Sequence, residues 1–184
     1  RNQKYFLYFG RLSREKGILT LLQAFRQLKT LAYKLVIVGS GPLRSSLEEE
    51  VTQSGIKNVE FAGFLSGKAL TDKIKECACV VVPSEWYENC PMSVLEALAH
   101  GKPIIGARIG GIPELIDHGN DGLIFNSGDT ADLATQMEII AGLPAAQLEQ
   151  MGRNGRLKIE KFYNVDRHYD ALISLYNDVL EHRN

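Results

Sequence analysis

A chain of 184 residues, 45% of them hydrophobic, is ample for one packed core and short for two. Its 21 Lys and Arg against 22 Asp and Glu give a net charge of −1, which argues against nucleic acid or a bulk membrane surface as a partner. The three cysteines, Cys77, Cys79 and Cys90, fit a reducing compartment and no common zinc spacing, and no apolar run is long enough to span a bilayer.

From the amino terminus, Arg1 opens the chain abruptly, as in an excised domain, and Tyr5 to Phe9 reads as an apolar strand. It leads through Gly10-Arg11-Leu12-Ser13-Arg14-Glu15-Lys16-Gly17 into a helix from Ile18 to Lys29, with apolar residues at Leu21, Leu22, Phe25 and Leu28. Arg11 and Lys16 therefore fall beyond the carboxyl end of a strand, where open parallel sheets bind their ligands. Either cation alone is also an ordinary loop charge, and Arg14 reads as surface. Lys34 to Val38 is a second strand, followed by Gly39-Ser40-Gly41-Pro42-Leu43-Arg44 and a charged helix to about Gln53. The stretch mimics a dinucleotide fingerprint, but Arg44 stands where the third glycine belongs and Pro42 falls in the first turn of the helix. No nicotinamide site is expected. Gly39 and Gly41 permit a tight turn with close backbone approach to a ligand, or serve as a strand-to-helix turn and nothing more.

Val59 to Phe61 is a short third strand, and Ser66 is a suitable N-cap for a helix to about Glu76. The apolar run Cys77 to Pro83 carries a fourth strand, Val80 to Pro83. Cys77 and Cys79 read as small core residues, and Cys90 has no neighbouring base to make it a nucleophile. A helix then starts with Pro91 in its first turn and ends at Gly101, with Pro103 preventing its continuation. The amides of Met92, Ser93 and Val94 lack partners within that helix, and with its dipole they form a seat for an anion such as a diphosphate. Glu88 lies before the seat and Glu96 inside the helix. An ionised carboxylate accepts both donors of a vicinal diol, and a nucleotide-sugar carries a diol on each side of its diphosphate. As lone acids, Glu88 also fits a solvated loop and Glu96 a helix surface stabilised by the dipole.

Pro103 to Ala107 is the fifth strand. Gly110-Gly111-Ile112-Pro113-Glu114 begins a short helix whose glycines bring backbone near a bound sugar. Gly122 to Phe125 follows the turn Asn120-Asp121-Gly122 as the last strand, and helices are expected over Asp129 to Ala141, Pro144 to Phe162 and Val165 to about Glu181. Alternating strands and helices predict one α/β domain over residues 1–184: a doubly wound, Rossmann-like layer with a mostly parallel sheet and carboxyl-terminal helices over about 144–183.

The combination of Glu88, seven residues, Glu96, the intervening Pro91 and the run Glu-Ala-Leu-Ala-His-Gly-Lys-Pro-Ile from Glu96 to Ile104 resembles the signature of retaining glycosyltransferases of family 4, the group 1 glycosyl transferases with the GT-B fold. The resemblance extends from about Tyr5 to the final helix and fits the carboxyl-terminal, donor-binding half of such an enzyme. It implies a UDP-sugar or GDP-sugar donor and a glycan or lipid-linked acceptor; no cluster of aspartates suggests a metal, and Arg, Lys and a helix terminus can replace one. Within it, Glu96 holds the ribose hydroxyls and Glu88 contacts the transferred sugar. Gly10-Arg11-Leu12 and Glu15-Lys16-Gly17 match an element whose Arg and Lys neutralise the diphosphate. Gly39 and Gly41 match a donor loop, and Gly63-Phe64-Leu65 a turn against the nucleobase. The resemblance further implies a missing amino-terminal domain that supplies the acceptor site and a histidine facing the donor sugar, since His100, His118, His168 and His182 match no such motif. The fragment alone is then expected to bind donor without transferring sugar. The full-length enzyme is expected in the cytoplasm, free or peripheral at the inner membrane face. A sugar-nucleotide epimerase, a phosphorylase and a non-catalytic assembly module are the alternatives.

Overall fold

The computed structural model describes residues 4–29 and 32–181; Arg1 and His182 lie outside the described residues. Six strands form one sheet in the order β3-β2-β1-β4-β5-β6: β1 Tyr5–Phe9, β2 Lys34–Val38, β3 Val59–Gly63, β4 Cys79–Val82, β5 Ile104–Ala107 and β6 Gly122–Phe125. Every pairing is parallel, and β1 runs in register with β2 from Tyr5 opposite Lys34 to Phe9 opposite Val38. Helices lie between successive strands, so the sheet is covered and its central strands are apolar throughout. All five residues of β1 are buried, which is why Tyr-Phe-Leu-Tyr-Phe runs without alternation. Phe6 and Leu7 are fully enclosed, each side chain contributing about 1.5–3 kcal/mol relative to exposure.

Among the described residues the α-helices are α1 Ile18–Arg26, α2 Arg44–Gln53, α3 Gly67–Glu76, α4 Met92–Ala99, α5 Ile112–Leu115, α6 Thr130–Gly142, α7 Ala145–Phe162 and α8 Val165–Glu181. Helix α1 stops three residues short of the expected Lys29, and α2 begins at Arg44, leaving Pro42 in the turn ahead of it. Pro91 is likewise the N-cap of α4, its ψ of 116° extended, rather than a member of the first turn. Asp129 caps α6 by accepting from the amides of Ala131 and Asp132.

Two helix pairs pack against each other over the sheet. Helix α1 packs on α6, and α7 crosses α4 so closely that a Cβ on Gly152 would lie 1.9 Å from the Gly101 carbonyl oxygen. That crossing needs a glycine. Beneath it, Lys158 of α7 pairs with the fully buried Asp121 and, at 2.9 Å, with Asp117, tying α7 to the loop before β6. By contrast, none of the 17 residues of α8 is buried.

Candidate functional site

The strand order reverses direction between β1 and β4, and their carboxyl ends diverge there into the crevice where doubly wound sheets take ligands. A hollow of about 460 Å³ occupies that crevice. It is lined by the end of β1 (Tyr8, Phe9, Gly10, Arg11), by Lys16, by Ser84 after β4, by Glu88, and by Pro91, Met92, Ser93 and Glu96 at the start of α4. A second hollow, of about 530 Å³, shares Phe9, Gly10 and Arg11 and extends over Gly39, Ser40, Gly41 and Pro42 to Phe64 and Leu65.

The chain thus brings Arg11, Lys16, Glu88 and Glu96 to one cavity from segments far apart in sequence. Among the described residues, the Arg11 side chain makes no ion pair, and the half-buried Glu96 carboxylate has neither a hydrogen-bond donor nor a cation. Lys16 is different. Its ammonium is ion-paired with Glu88 Oε1, and Ser84 Oγ donates to the same oxygen at 3.0 Å. Among the described residues, Oε2 of Glu88 has no partner. Lys16 lies in a 3-10 turn over Arg14–Lys16 that is anchored to the end of β4, because the amide of Glu85 donates to the Glu15 carbonyl at 2.9 Å. Gly17, at φ +65°, follows the turn, and a Cβ there would overlap the Pro83 carbonyl oxygen at 1.9 Å.

At the start of α4 the amides of Met92 and Ser93 have no acceptor among the described residues, but that of Val94 donates to the Pro91 carbonyl at 3.0 Å. The anion seat is therefore two amides wide, one fewer than expected, because Pro91 caps the helix and supplies an acceptor for the third. Val94 itself is fully buried and lines neither hollow. Gly63 also stays out of both; its carbonyl accepts the Gly39 amide at 2.7 Å. Phe64, 72% exposed, forms an open wall of the second hollow with Leu65.

The glycines also let loops of the chain itself come close, whether or not they line a hollow. A Cβ on Gly39 would lie 1.8 Å from the Gly10 carbonyl oxygen, and one on Gly41 2.3 Å from that of Leu12. They let the β2–α2 loop nest on the β1 loop, and the two loops together make the floor between the hollows. Gly110 and Gly111 do the same for the Glu88 loop: their missing Cβ atoms would lie 2.4 Å from the Glu88 and 2.0 Å from the Asn89 carbonyl oxygen.

Two lining residues gave no signal in the sequence. Tyr8 is buried, and its hydroxyl donates to the Arg11 carbonyl at 2.7 Å, bracing the loop that carries the guanidinium. Burial, followed by the negative charges of Glu88 and Glu15, holds its phenol well above the ordinary value, so it remains a neutral donor. Ser84 is the other, a serine at a strand end being too common to stand out. Of the histidines, His118 accepts the Ile124 amide through Nδ1 at 3.0 Å, a structural role, and no histidine lines either hollow. Among the described residues no group of three or more His, Cys, Asp or Glu could hold a metal, and no helix is long and apolar enough to cross a membrane.

Residues 1–158 match the family of glycosyl transferases group 1. The chain belongs to that family. An uncharacterized glycosyltransferase of Methanocaldococcus jannaschii is 39% identical over 124 residues, which is 66% of this chain and 32% of that protein. The D-rhamnosyltransferase WbpZ of Pseudomonas aeruginosa is 31% identical over 162 residues, covering 87% of this chain and 42% of the relative. The chain spans less than half the length of these curated relatives. Among solved structures, sucrose-phosphate synthase from Thermosynechococcus elongatus superposes with a TM-score of 0.86 at 28% identity, over 98% of this chain and 46% of that one. The Anabaena protein HepE in complex with UDP-glucose shares the fold, with a TM-score of 0.84 at 23% identity, over 96% of this chain and 49% of the other. The doubly wound, Rossmann-like domain is that of GT-B glycosyltransferases.

Proposed function

We propose that this chain is the donor-binding domain of a retaining, family 4 glycosyltransferase that moves a hexosyl group from a nucleotide-diphosphate sugar to a glycan or lipid-linked acceptor. The observation that carries the reading is the single cavity at the strand switch lined by two cations, two carboxylates and two free helix-terminal amides. Family membership supports a sugar donor, and the UDP-glucose held by HepE is a ligand of the right size and chemistry.

In this reading the diphosphate sits against the amides of Met92 and Ser93, with Arg11 on its flank. An ammonium has three donors, so Lys16 keeps Glu88 with one and offers the others to phosphate. Glu96, which has no donor or cation among the described residues, takes the ribose diol, and Glu88 takes a hydroxyl of the transferred sugar. The nucleobase lies in the second hollow against Phe64 and Leu65. Breaking the sugar–phosphate bond develops negative charge on the leaving diphosphate. Preorganised donors aimed at such charge lower a barrier by up to roughly 3 kcal/mol each. A second domain, outside this chain, would close over the sugar and bring the acceptor. The acceptor site would come from that domain, so the chain alone binds donor and does not transfer, and the exposed apolar residues of α8 suit contact with it.

Isothermal titration of the 184-residue chain with UDP, GDP, ADP and their sugars tests this. Micromolar to millimolar binding to at least one, abolished in Glu96→Ala, is expected. Flat titrations with every nucleotide would sink the reading.

A further inference from the structure

The Glu88 carboxylate is held asymmetrically, and a buried hydroxyl is responsible for half of that hold. Ser84 retains 1% of its surface and stands at the carboxyl end of β4, on the wall of the hollow. Its Oγ reaches three acceptors: Glu88 Oε1 at 3.0 Å, the Glu15 carbonyl at 3.2 Å and the Trp86 carbonyl at 3.5 Å. A serine has one proton to donate, and an ionised carboxylate is the strongest acceptor of the three and the nearest. Lys16 reaches the same Oε1 from the adjoining turn. Both donors therefore fall on one oxygen, and Oε2 is the one left to accept from something else.

The surroundings of Ser84 are equally fixed. Its own carbonyl accepts from Ser127 Oγ at 2.9 Å, which anchors it to the segment after β6. The Glu88 backbone is pinned on the opposite side, where its carbonyl accepts the Gly111 amide at 2.7 Å. With the main chain of Glu88 clamped and one carboxylate oxygen saturated, the remaining torsional freedom of the side chain is small.

Resting on the donor-binding reading above, we infer that Ser84 is a positioning residue: with Lys16 it saturates Oε1 of Glu88 so that Oε2 is presented to a hydroxyl of the donor's sugar ring. The Ser84 hydroxyl proton goes to Glu88 rather than to the donor. Its effect belongs to the sugar and not to the nucleoside diphosphate, which makes it separable from a role in folding.

The test is titration of the 184-residue chain with UDP-glucose and UDP, or with GDP-mannose and GDP if the guanine pair binds instead. The readout is the ratio of the two affinities. Ser84→Ala is expected to weaken the nucleotide-sugar about tenfold while leaving the nucleoside diphosphate unchanged, the effect of losing one hydrogen bond to a charged group. Ser84→Cys, close in volume but a weak donor, gives the same split if the alanine variant fails to fold. Ser127→Ala, which removes a hydroxyl from the backbone side of Ser84 while the Ser84 Oγ contact with Glu88 stays in place, leaves the ratio as in the wild type. Equal weakening of both ligands, no change in either, or the same split in Ser127→Ala overturns the role of Ser84 while nucleotide binding by the wild type still stands. A wild type that binds neither ligand removes the donor-binding reading itself and Ser84's role with it.

Discussion

Gly111 donates its amide to the carbonyl of Glu88, and the Cβ it lacks would stand 2.0 Å from the carbonyl oxygen of the next residue, Asn89. The short α5 and the loop that delivers Glu88 are therefore one unit, with no room for a side chain between them. The orientation of a carboxylate in the candidate site depends on an absence 23 residues further along the chain.

Gly111→Ala should therefore act on both stability and binding. Its backbone conformation is ordinary for alanine, so the cost is steric: overpacking against backbone, about 1–3 kcal/mol. Relief comes by moving the Glu88 loop, so nucleotide-sugar affinity falls as well. Gly142→Ala at the end of α6 is the control, since a Cβ there meets nothing within 4 Å and alanine gains up to about 1 kcal/mol in a helix. Thermal melts with and without ligand read both effects. A Gly111→Ala protein that melts and binds like the wild type would refute the coupling.

Lys16→Ala separates folding from ligand binding. The ion pair with Glu88 is partly solvated, with side chains 32% and 18% exposed, so its loss should cost no more than about 1 kcal/mol of stability. If Lys16 also serves the diphosphate, nucleoside diphosphate affinity falls about tenfold or more, the effect of a lost charge-assisted bond. The decisive comparison is Kd for UDP or GDP against the midpoint of urea unfolding. A large fall in stability with unchanged affinity would make Lys16 structural.

The elements were legible in the sequence because each strand is a buried apolar run and each loop carries its own punctuation: Tyr5 to Phe9, Lys34 to Val38 and Gly122 to Phe125 fall where the residues put them. The cavity was legible in outline, since Arg11, Lys16, Glu88 and Glu96 each follow a strand or open a helix at the same sheet edge. The partners of those residues were not. Lys16 and Glu88 are 72 positions apart, and nothing local announces that they pair. Gly39, Gly41, Gly110 and Gly111 show that some backbone comes close, but not whether it belongs to a ligand or to another loop of the same chain. The reach of α4 was misjudged by one amide because Pro91 has the φ of a first-turn proline in either position, and only its extended ψ makes it the cap.

Deleting residues 165–184 should change the folding equilibrium by less than about 1 kcal/mol, because no residue of α8 is buried. The helix carries Val165, Tyr169, Leu172, Tyr176 and Val179, spaced four and three apart, so one apolar stripe faces solvent. Removing the stripe should also reduce self-association at high concentration, as seen by sedimentation. A truncated chain that melts well below the full one would mean that α8 packs on the domain in solution.

Lys158 and Asp121 provide the pH-dependent case. Burial, outweighing hydrogen bonding and attraction from Lys158, pushes the Asp121 carboxyl above its ordinary value. Burial opposes the charge of Lys158 too, but there the bonds to Asp121 and Asp117 prevail and raise its pKa above the usual lysine value. Lys158→Met removes the cation and leaves a carboxylate with no exposed surface uncompensated, which costs about 3–5 kcal/mol at neutral pH. An acid whose folded pKa lies above its unfolded one binds its proton more tightly when folded, so lowering the pH favours the folded state. The penalty of Lys158→Met should therefore shrink as pH falls from 7 towards 4 and Asp121 takes up its proton. Asp121→Asn added to Lys158→Met removes the charge outright, so the double variant should be more stable than the single one at pH 7 and lose most of that pH dependence. Urea unfolding of the three proteins across this range measures it; a penalty independent of pH would show that Asp121 is not the group left uncompensated.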